Sequence, residues 1–263
     1  MNSALIGHTG FVGSNLDQQH AFSQRFNSKN IEEIRGQKFD LVVTAGVQAK
    51  KWWANQNPAE DWAQIERLLD ALASVQAERF VLISTIDVYP KPCGVDESTP
   101  VEEDARNAYG THRLRVEKAV QSRFKETCII RLPGLFGNGL KKNVIFDLIH
   151  DNILETINPA SRFQYYFLDH LWADINRCLN AKLPLVNFAT EPVATSTILE
   201  RFFPGKVVGS NPAPAAAYDF RTCHNNTLGG ENGYLYDRET VVRDIGIYLK
   251  RAAGIGGVTE TSE

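Results

Sequence analysis

Three glycines, Gly7, Gly10 and Gly13, stand in Leu5-Ile-Gly-His-Thr-Gly-Phe-Val-Gly-Ser-Asn-Leu16, just after a short apolar run and at the head of a helix-like pattern. No other stretch of this chain restricts its fold as strongly. A turn this tight needs a residue at Gly7 that tolerates dihedrals a Cβ would forbid. Gly10 removes bulk where a phosphate group would approach the main chain, and Gly13 lets the helix lie close on its strand. The N-terminus of that helix, here Phe11, Val12 and Gly13, offers unpaired N–H groups and the positive end of a dipole, an anion site by construction.

The remaining pattern is consistent with that start. Buried parallel strands read as short continuous apolar runs and helices as stripes with a 3.6-residue period. Strands are expected over residues 3–6, 22–26, 41–44, 80–84, 127–131 and 185–188. One helical stripe comprises Trp62, Ile65, Leu68, Leu69, Leu72 and Val75, and another carries Leu114, Val116, Ala119 and Val120 from a start near Asn107. Further on, residues 143–153 and 195–203 read as helical and 163–168 as extended. Asp237 reads as the cap of a last helix through Val241, Val242, Ile245, Tyr248 and Leu249. Alternating strand and helix predicts an α/β fold, a Rossmann-type doubly wound parallel sheet, with a small C-terminal α/β part for substrate. The expected division is residues 1–137 for dinucleotide binding and 138–253 for substrate, with a disordered tail over 254–263.

Composition narrows the function classes. A net charge of −3 over 263 residues gives no global attraction to nucleic acid or to acidic membranes. No apolar run is long enough to span a bilayer, and the sequence passes from Met1 straight into the glycine turn, so a cytoplasmic protein without a leader is expected. Cys93, Cys128, Cys178 and Cys223 are scattered, as are the six histidines, so neither a disulfide framework nor a metal site is expected.

A second group of residues carries chemistry. The fourth strong strand ends in Ser84-Thr85-Ile-Asp-Val-Tyr-Pro90, and later comes Asn107-Ala-Tyr-Gly-Thr-His-Arg113. Then follow Ile130-Arg-Leu-Pro-Gly-Leu-Phe-Gly137 and Arg162-Phe-Gln-Tyr-Tyr-Phe-Leu-Asp169. Together with the glycine turn, this ordered set resembles the extended short-chain dehydrogenase/reductase family, which includes nucleotide-sugar epimerases, dehydratases and reductases. The resemblance runs through about the first 170 residues and more loosely beyond. It places Tyr109 on the family's acid/base tyrosine and Thr85 on its hydroxyl partner. Tyr109 would exchange a proton with the oxygen whose carbon gains or loses hydride, and Thr85 would hold that oxygen. A free phenol has a pKa near 10, so such a base needs its pKa lowered. The bland readings are a packed aromatic and a turn threonine.

Two departures from the family pattern matter. Arg113 stands where a lysine is expected four positions after the tyrosine. An arginine there shares the tyrosine's helix face and keeps a positive charge, but it cannot act as a compact, proton-exchanging ammonium. Either it substitutes with altered geometry, or another group completes the relay, or the site binds a dinucleotide without turnover. After Thr85, Ile86 occupies the first of the two acidic positions found in the family's dehydratases, and only Asp87 remains. Dehydration is therefore disfavoured, and Asp87 either assists as a single base or accepts hydrogen bonds in a turn.

The expected cofactor is NADP or NAD, with the lean to NADP resting on Arg25, Ser28 and Lys29, since no acid follows the second strand until Glu32. These residues read equally as a solvated loop. Thr44, Ala45 and Gly46 are expected to let the cofactor pass close to the backbone, and Leu132, Pro133 and Leu135 to lie beside the nicotinamide. Lys141, Lys142 and Asn143, with Arg162, are the candidates for a substrate diphosphate. Trp52 and Trp53 form a stacking wall or a lid. The implied activity is an NAD(P)-dependent epimerase or reductase of a nucleotide-activated sugar, in a homodimer built on the tyrosine helix and its neighbour. The alternatives are a catalytically impaired dinucleotide-binding scaffold and a reductase of a non-sugar carbonyl.

Overall fold

In the computed structural model, residues 1–104 and 106–253 are described; the tail expected to be disordered lies outside them. The chain forms two compact units, Met1–Leu132 with Asp169–Asn187, and Pro133–Leu168 with the chain from Phe188 on.

The first unit holds a six-stranded sheet. Its strands are β1 (Ser3–Ile6), β2 (Gln24–Phe26), β3 (Lys38–Thr44), β4 (Gln76–Thr85), β5 (Thr127–Leu132) and β9 (Leu185–Asn187). They run in the order β2-β1-β3-β4-β5-β9 and every pair is parallel. All six expected strands are present, with ends shifted by a few residues. Helices α1 (Phe11–Gln19), α2 (Lys51–Gln56), α3 (Pro58–Leu72), α4 (Ala108–Arg123) and α6 (Leu171–Asn180) complete this unit.

Parallel strands flanked by helices bury both faces, so the central strands are apolar throughout. Val42, Phe80, Leu82 and Ile129 pack against Ile65, Leu68 and Leu72 of α3 and Val116 and Val120 of α4. Both apolar stripes thus contribute to this core. The outward residues of α3 and α4 include Glu66, Arg67, Arg115 and Lys118.

Register decides what projects from the sheet. Ile6 of β1 is level with Thr44 of β3, and Thr44 is level with Leu82 of β4. β4 therefore runs three residues past the end of β3, though not past β5, and carries Thr85 beyond the edge at which the glycine turn begins.

The second unit is built from short pieces. β6 (Gly134–Phe136) pairs with β8 (Tyr165–Phe167), and β7 (Arg162–Phe163) pairs with β10 (Val193–Ala194). Helices α5 (Val144–His150), α7 (Thr195–Phe202), α8 (Asn225–Leu228) and α9 (Arg238–Ala253) surround them. The extended segment expected over 163–168 is thus two strands with different partners. Asp237 caps the last helix as expected, accepting the Thr240 N–H at 2.8 Å. No helix among the described residues is long and apolar enough to cross a membrane, and no disulfide joins the cysteines among them.

Candidate active site

The strand order turns back between β1 and β3, the position where open α/β sheets bind ligands at their carboxyl ends. The glycine turn lies there. Gly7 has φ +86°, and a Cβ on it would fall 2.5 Å from the Ala45 carbonyl oxygen. A Cβ on Gly13 would fall 2.1 Å from the Gly7 oxygen. These two positions accept no other residue without moving backbone. Gly10 is the N-cap of α1 and carries no side chain to satisfy the first N–H groups. The opening of α1, at Phe11, Val12 and Gly13, is thus a cradle lined by main chain, and a pyrophosphate fits it. Thr44 is buried, with its hydroxyl accepting the Gly46 N–H at 3.3 Å, so the Thr44-Ala45-Gly46 corner forms the other wall.

Beyond β2, Ser28 and Lys29 are exposed on a turn held by Asn27, whose side-chain oxygen accepts the Lys29 N–H at 2.9 Å. Arg25 is already paired with Asp17 at 2.6 Å, which leaves Ser28 and Lys29 as the exposed polar groups of the NADP expectation.

Thr85, Asp87, Tyr109 and Arg113 come together at the end of β4. The N-terminus of α4 is pressed onto the turn after that strand. Asn107 caps the helix by accepting the Gly110 N–H and also donates to the Asp87 carbonyl at 3.0 Å. A Cβ on Gly110 would lie 2.2 Å from that carbonyl oxygen, so the glycine beside Tyr109 permits the approach. The Tyr109 N–H donates to the Asn55 side chain of α2 at 2.9 Å. The phenol is buried, and the Thr85 hydroxyl lies beside it and favours its ionised form. The Thr85 oxygen also accepts the Asp87 N–H at 3.1 Å, leaving its own proton for the phenol oxygen.

Arg113 does not reach outward from this group. Its guanidinium carbon lies 4.0 Å from the centre of the Tyr109 ring. Its N–H groups donate to both oxygens of the buried Asp61, to the Gln48 carbonyl and to the Tyr109 carbonyl. His112 contacts the same Asp61 carboxylate at 2.8 Å. The charge therefore acts on the phenol through the ring face.

The balance around the phenol differs from the sequence expectation. Burial pushes the Tyr109 pKa up, Arg113 opposes this, and Asp87 raises it further. The Thr85 hydroxyl lowers it and Asp61 raises it, leaving it at about 12. The arginine pushes in the expected direction, but desolvation outweighs it.

Sequence reasoning missed three contributors. Lys51 pairs with Asp87 at 2.6 Å, Asn55 anchors Tyr109, and Asp61 holds Arg113. Asp61 left a signal, since it shares the buried face of α3 with Ile65, Leu68 and Leu72. Lys51 and Asn55 lie on a six-residue helix with no readable period. On that helix Trp52 is 72% exposed and Trp53 half-buried.

The remaining candidates are on either side of the unit boundary. Leu132 is buried at the end of β5, level with Thr85. Pro133 and Leu135 belong to the second unit, where Leu135 lies on β6 opposite Tyr166. Lys141 and Lys142 are exposed ahead of α5. The Asn143 side chain is committed to local structure, accepting the Phe146 N–H at 3.1 Å and donating to the Leu135 carbonyl at 2.9 Å. Arg162 is exposed on β7, with main-chain bonds to Ala216 and Tyr218.

A parallel sheet doubly wound around a glycine turn, with a Thr–Tyr pair beyond its edge, defines a Rossmann-type α/β protein. The chain belongs to the NAD dependent epimerase/dehydratase family, whose model matches residues 23–156. Several solved structures share the fold. A dTDP-4-dehydrorhamnose reductase from Bacillus anthracis, in complex with NADP, is 16% identical with a TM-score of 0.73, over 96% of this chain and 99% of that one. An NAD-dependent NDP-hexosamine 5,6-dehydratase of tunicamycin biosynthesis is 17% identical with a TM-score of 0.72, over 95% and 97%. A UDP-glucose 4-epimerase from Thermotoga maritima, with UDP-glucose, is 14% identical with a TM-score of 0.69, over 95% and 98%. No curated protein matches the sequence.

Proposed function

We propose that the protein is an NAD(P)-dependent enzyme acting on a nucleotide-activated sugar, as a reductase or an epimerase, with Tyr109 as its acid/base group. The observation that carries this reading is the hydroxyl pair of Thr85 and Tyr109, set beyond the sheet edge at which the glycine cradle opens. Relatives in fold that bind NAD, NADP or UDP-sugars support the choice of ligands.

Gly7, Gly10, Gly13 and the first turn of α1 would hold the pyrophosphate, and the Thr44-Ala45-Gly46 corner would let the cofactor pass. Ser28 and Lys29 would meet a 2′-phosphate. The bound nicotinamide supplies the redox chemistry, accepting or returning hydride at a sugar carbon. Thr85 orients the sugar oxygen by hydrogen bonding. Tyr109, with its pKa raised to about 12, holds its proton at neutral pH and is set to give it to a carbonyl oxygen. The reductive direction is therefore the one this site suits. Lys141, Lys142 and Arg162 are the proposed diphosphate contacts, and a homodimer remains part of the proposal on family grounds.

The engagement of Arg113 by Asp61 and Gln48 favours a second reading, a dinucleotide-binding scaffold with impaired chemistry. Calorimetry with NAD and NADP tests the cofactor, and nicotinamide absorbance with a panel of nucleotide sugars tests the chemistry. Binding with turnover upholds the enzyme. Binding without turnover, together with activity gained in Arg113→Lys, establishes the scaffold. No heat with either dinucleotide removes both readings.

A further inference from the structure

The charged groups around the Tyr109 hydroxyl come from four elements. Asp87 belongs to the turn after β4, Asp61 to α3 and Arg113 to α4 itself, while Lys51 of α2 reaches the group through Asp87. Asp61 and Arg113 form a buried pair, and of the two Arg113 acts more strongly on the phenol. Asp87 is the stronger of the two carboxylates that oppose ionisation of the phenol. The Lys51 ammonium lies on the Asp87 carboxylate at 2.6 Å.

A six-residue helix has little stability of its own, so something must hold α2 where Lys51 can make this contact. The Asn55 side chain accepts the Tyr109 N–H, and Ala54 is fully buried, so the helix is fastened to the residue whose hydroxyl its lysine affects. The ammonium is half exposed and has three donors, of which this pairing uses one. Arg113 cannot take over the task, because its N–H groups are bound to Asp61, Gln48 and the Tyr109 carbonyl.

The geometry points to Lys51 as a positioning residue of this site, its ammonium neutralising Asp87 so that no uncompensated carboxylate faces the Tyr109 hydroxyl. This rests on the reading of Tyr109 as the acid/base group, yet the electrostatic claim can be measured without turnover. Trifluorotyrosine placed at residue 109 of the full chain titrates well below tyrosine, and its fluorine resonances report that one phenol. Lys51→Met is expected to raise its midpoint by about one pH unit, in keeping with a carboxylate left unpaired nearby. Lys51→Arg keeps the midpoint close to the parent value. Asp87→Asn lowers it, and Lys51→Met combined with Asp87→Asn returns it toward the parent.

A midpoint unmoved by Lys51→Met overturns the proposal. So does a double variant, Lys51→Met with Asp87→Asn, whose midpoint stays as high as that of Lys51→Met alone, since the effect would then not pass through that carboxylate. Wild-type protein that gives no heat with either dinucleotide sinks the functional reading alone, and the midpoints still decide the role of Lys51.

Discussion

One row of side chains down α4, Tyr109, Arg113 and Glu117, takes part in two buried arginine–carboxylate pairs, and each arginine lies over a tyrosine ring. Arg113 pairs with Asp61 over Tyr109, and Arg131 pairs with Glu117 over Tyr89. The difference lies in the hydroxyls. Arg131 donates to the Tyr89 oxygen at 2.7 Å, Asn187 donates to it at 3.1 Å, and the Tyr89 O–H donates to the Asp96 carbonyl. Ser84 completes this network by donating to Glu117 at 2.5 Å. That phenol is saturated by groups of its own fold and serves structure. At Tyr109 the arginine contacts the ring face without donating to the hydroxyl, which has the hydroxyl of Thr85 beside it. The same residue types thus make a fixed joint in one place and, in the proposed reading, a group able to exchange a proton in the other.

The largest effect expected from breaking this contrast is chemical. Tyr109→Phe removes the proton donor and should lower turnover on a nucleotide sugar by roughly 10²–10⁴-fold, the usual contribution of a general acid. Tyr89→Phe should leave turnover in place, since its hydroxyl is spent on Arg131 and Asp96. Steady-state kinetics of the two variants decide this, and equal losses would mean that the distinction between the hydroxyls is wrong.

The next effect is on stability. Glu117→Ala leaves Arg131 buried without its carboxylate and should cost about 3–5 kcal/mol in denaturant unfolding. Asp61→Asn breaks the companion pair and is also destabilising, but the sign at the phenol separates the two. Asp61 raises the Tyr109 pKa, so its loss should shift fluorotyrosine at residue 109 to a lower midpoint. Glu117→Ala should leave that midpoint near its parent value.

Much of the sheet and part of the site were legible because the chemistry involved is local. The glycine turn is defined by residues that a tight backbone approach demands, and Thr85 ends an apolar run that could only be a buried strand. The pairings were not legible. Lys51–Asp87, Asn55–Tyr109 and Asp61–Arg113 each join residues distant in sequence, and no short-range pattern encodes which charge finds which partner. Asn143 shows a different ambiguity. A polar residue before a helix reads equally as a ligand contact or a cap, and here the side chain satisfies the helix. Helix α6 went unread because its stripe of Leu171, Ile175 and Cys178 is short and follows a strand-like aromatic run.

The smallest predicted effect tests the buried phenol without any ligand. Burial favours the neutral phenol in the folded state, so its folded pKa, raised to about 12, lies above the ordinary value near 10. The folded protein therefore binds this proton more tightly than the unfolded chain does. The resulting stability is complete below about pH 10 and is lost as pH rises toward 12. A rise from about 10 to about 12 corresponds to roughly 2–3 kcal/mol over that window. Other buried phenols, Tyr89 among them, decline over the same range, so the informative quantity is a difference. Unfolding free energies of wild type and Tyr109→Phe, followed from neutral to alkaline pH, should converge as pH rises, because only the wild type carries this proton. Parallel curves would show that the Tyr109 phenol is not held neutral by its surroundings, and the preference for proton donation would lose its physical basis.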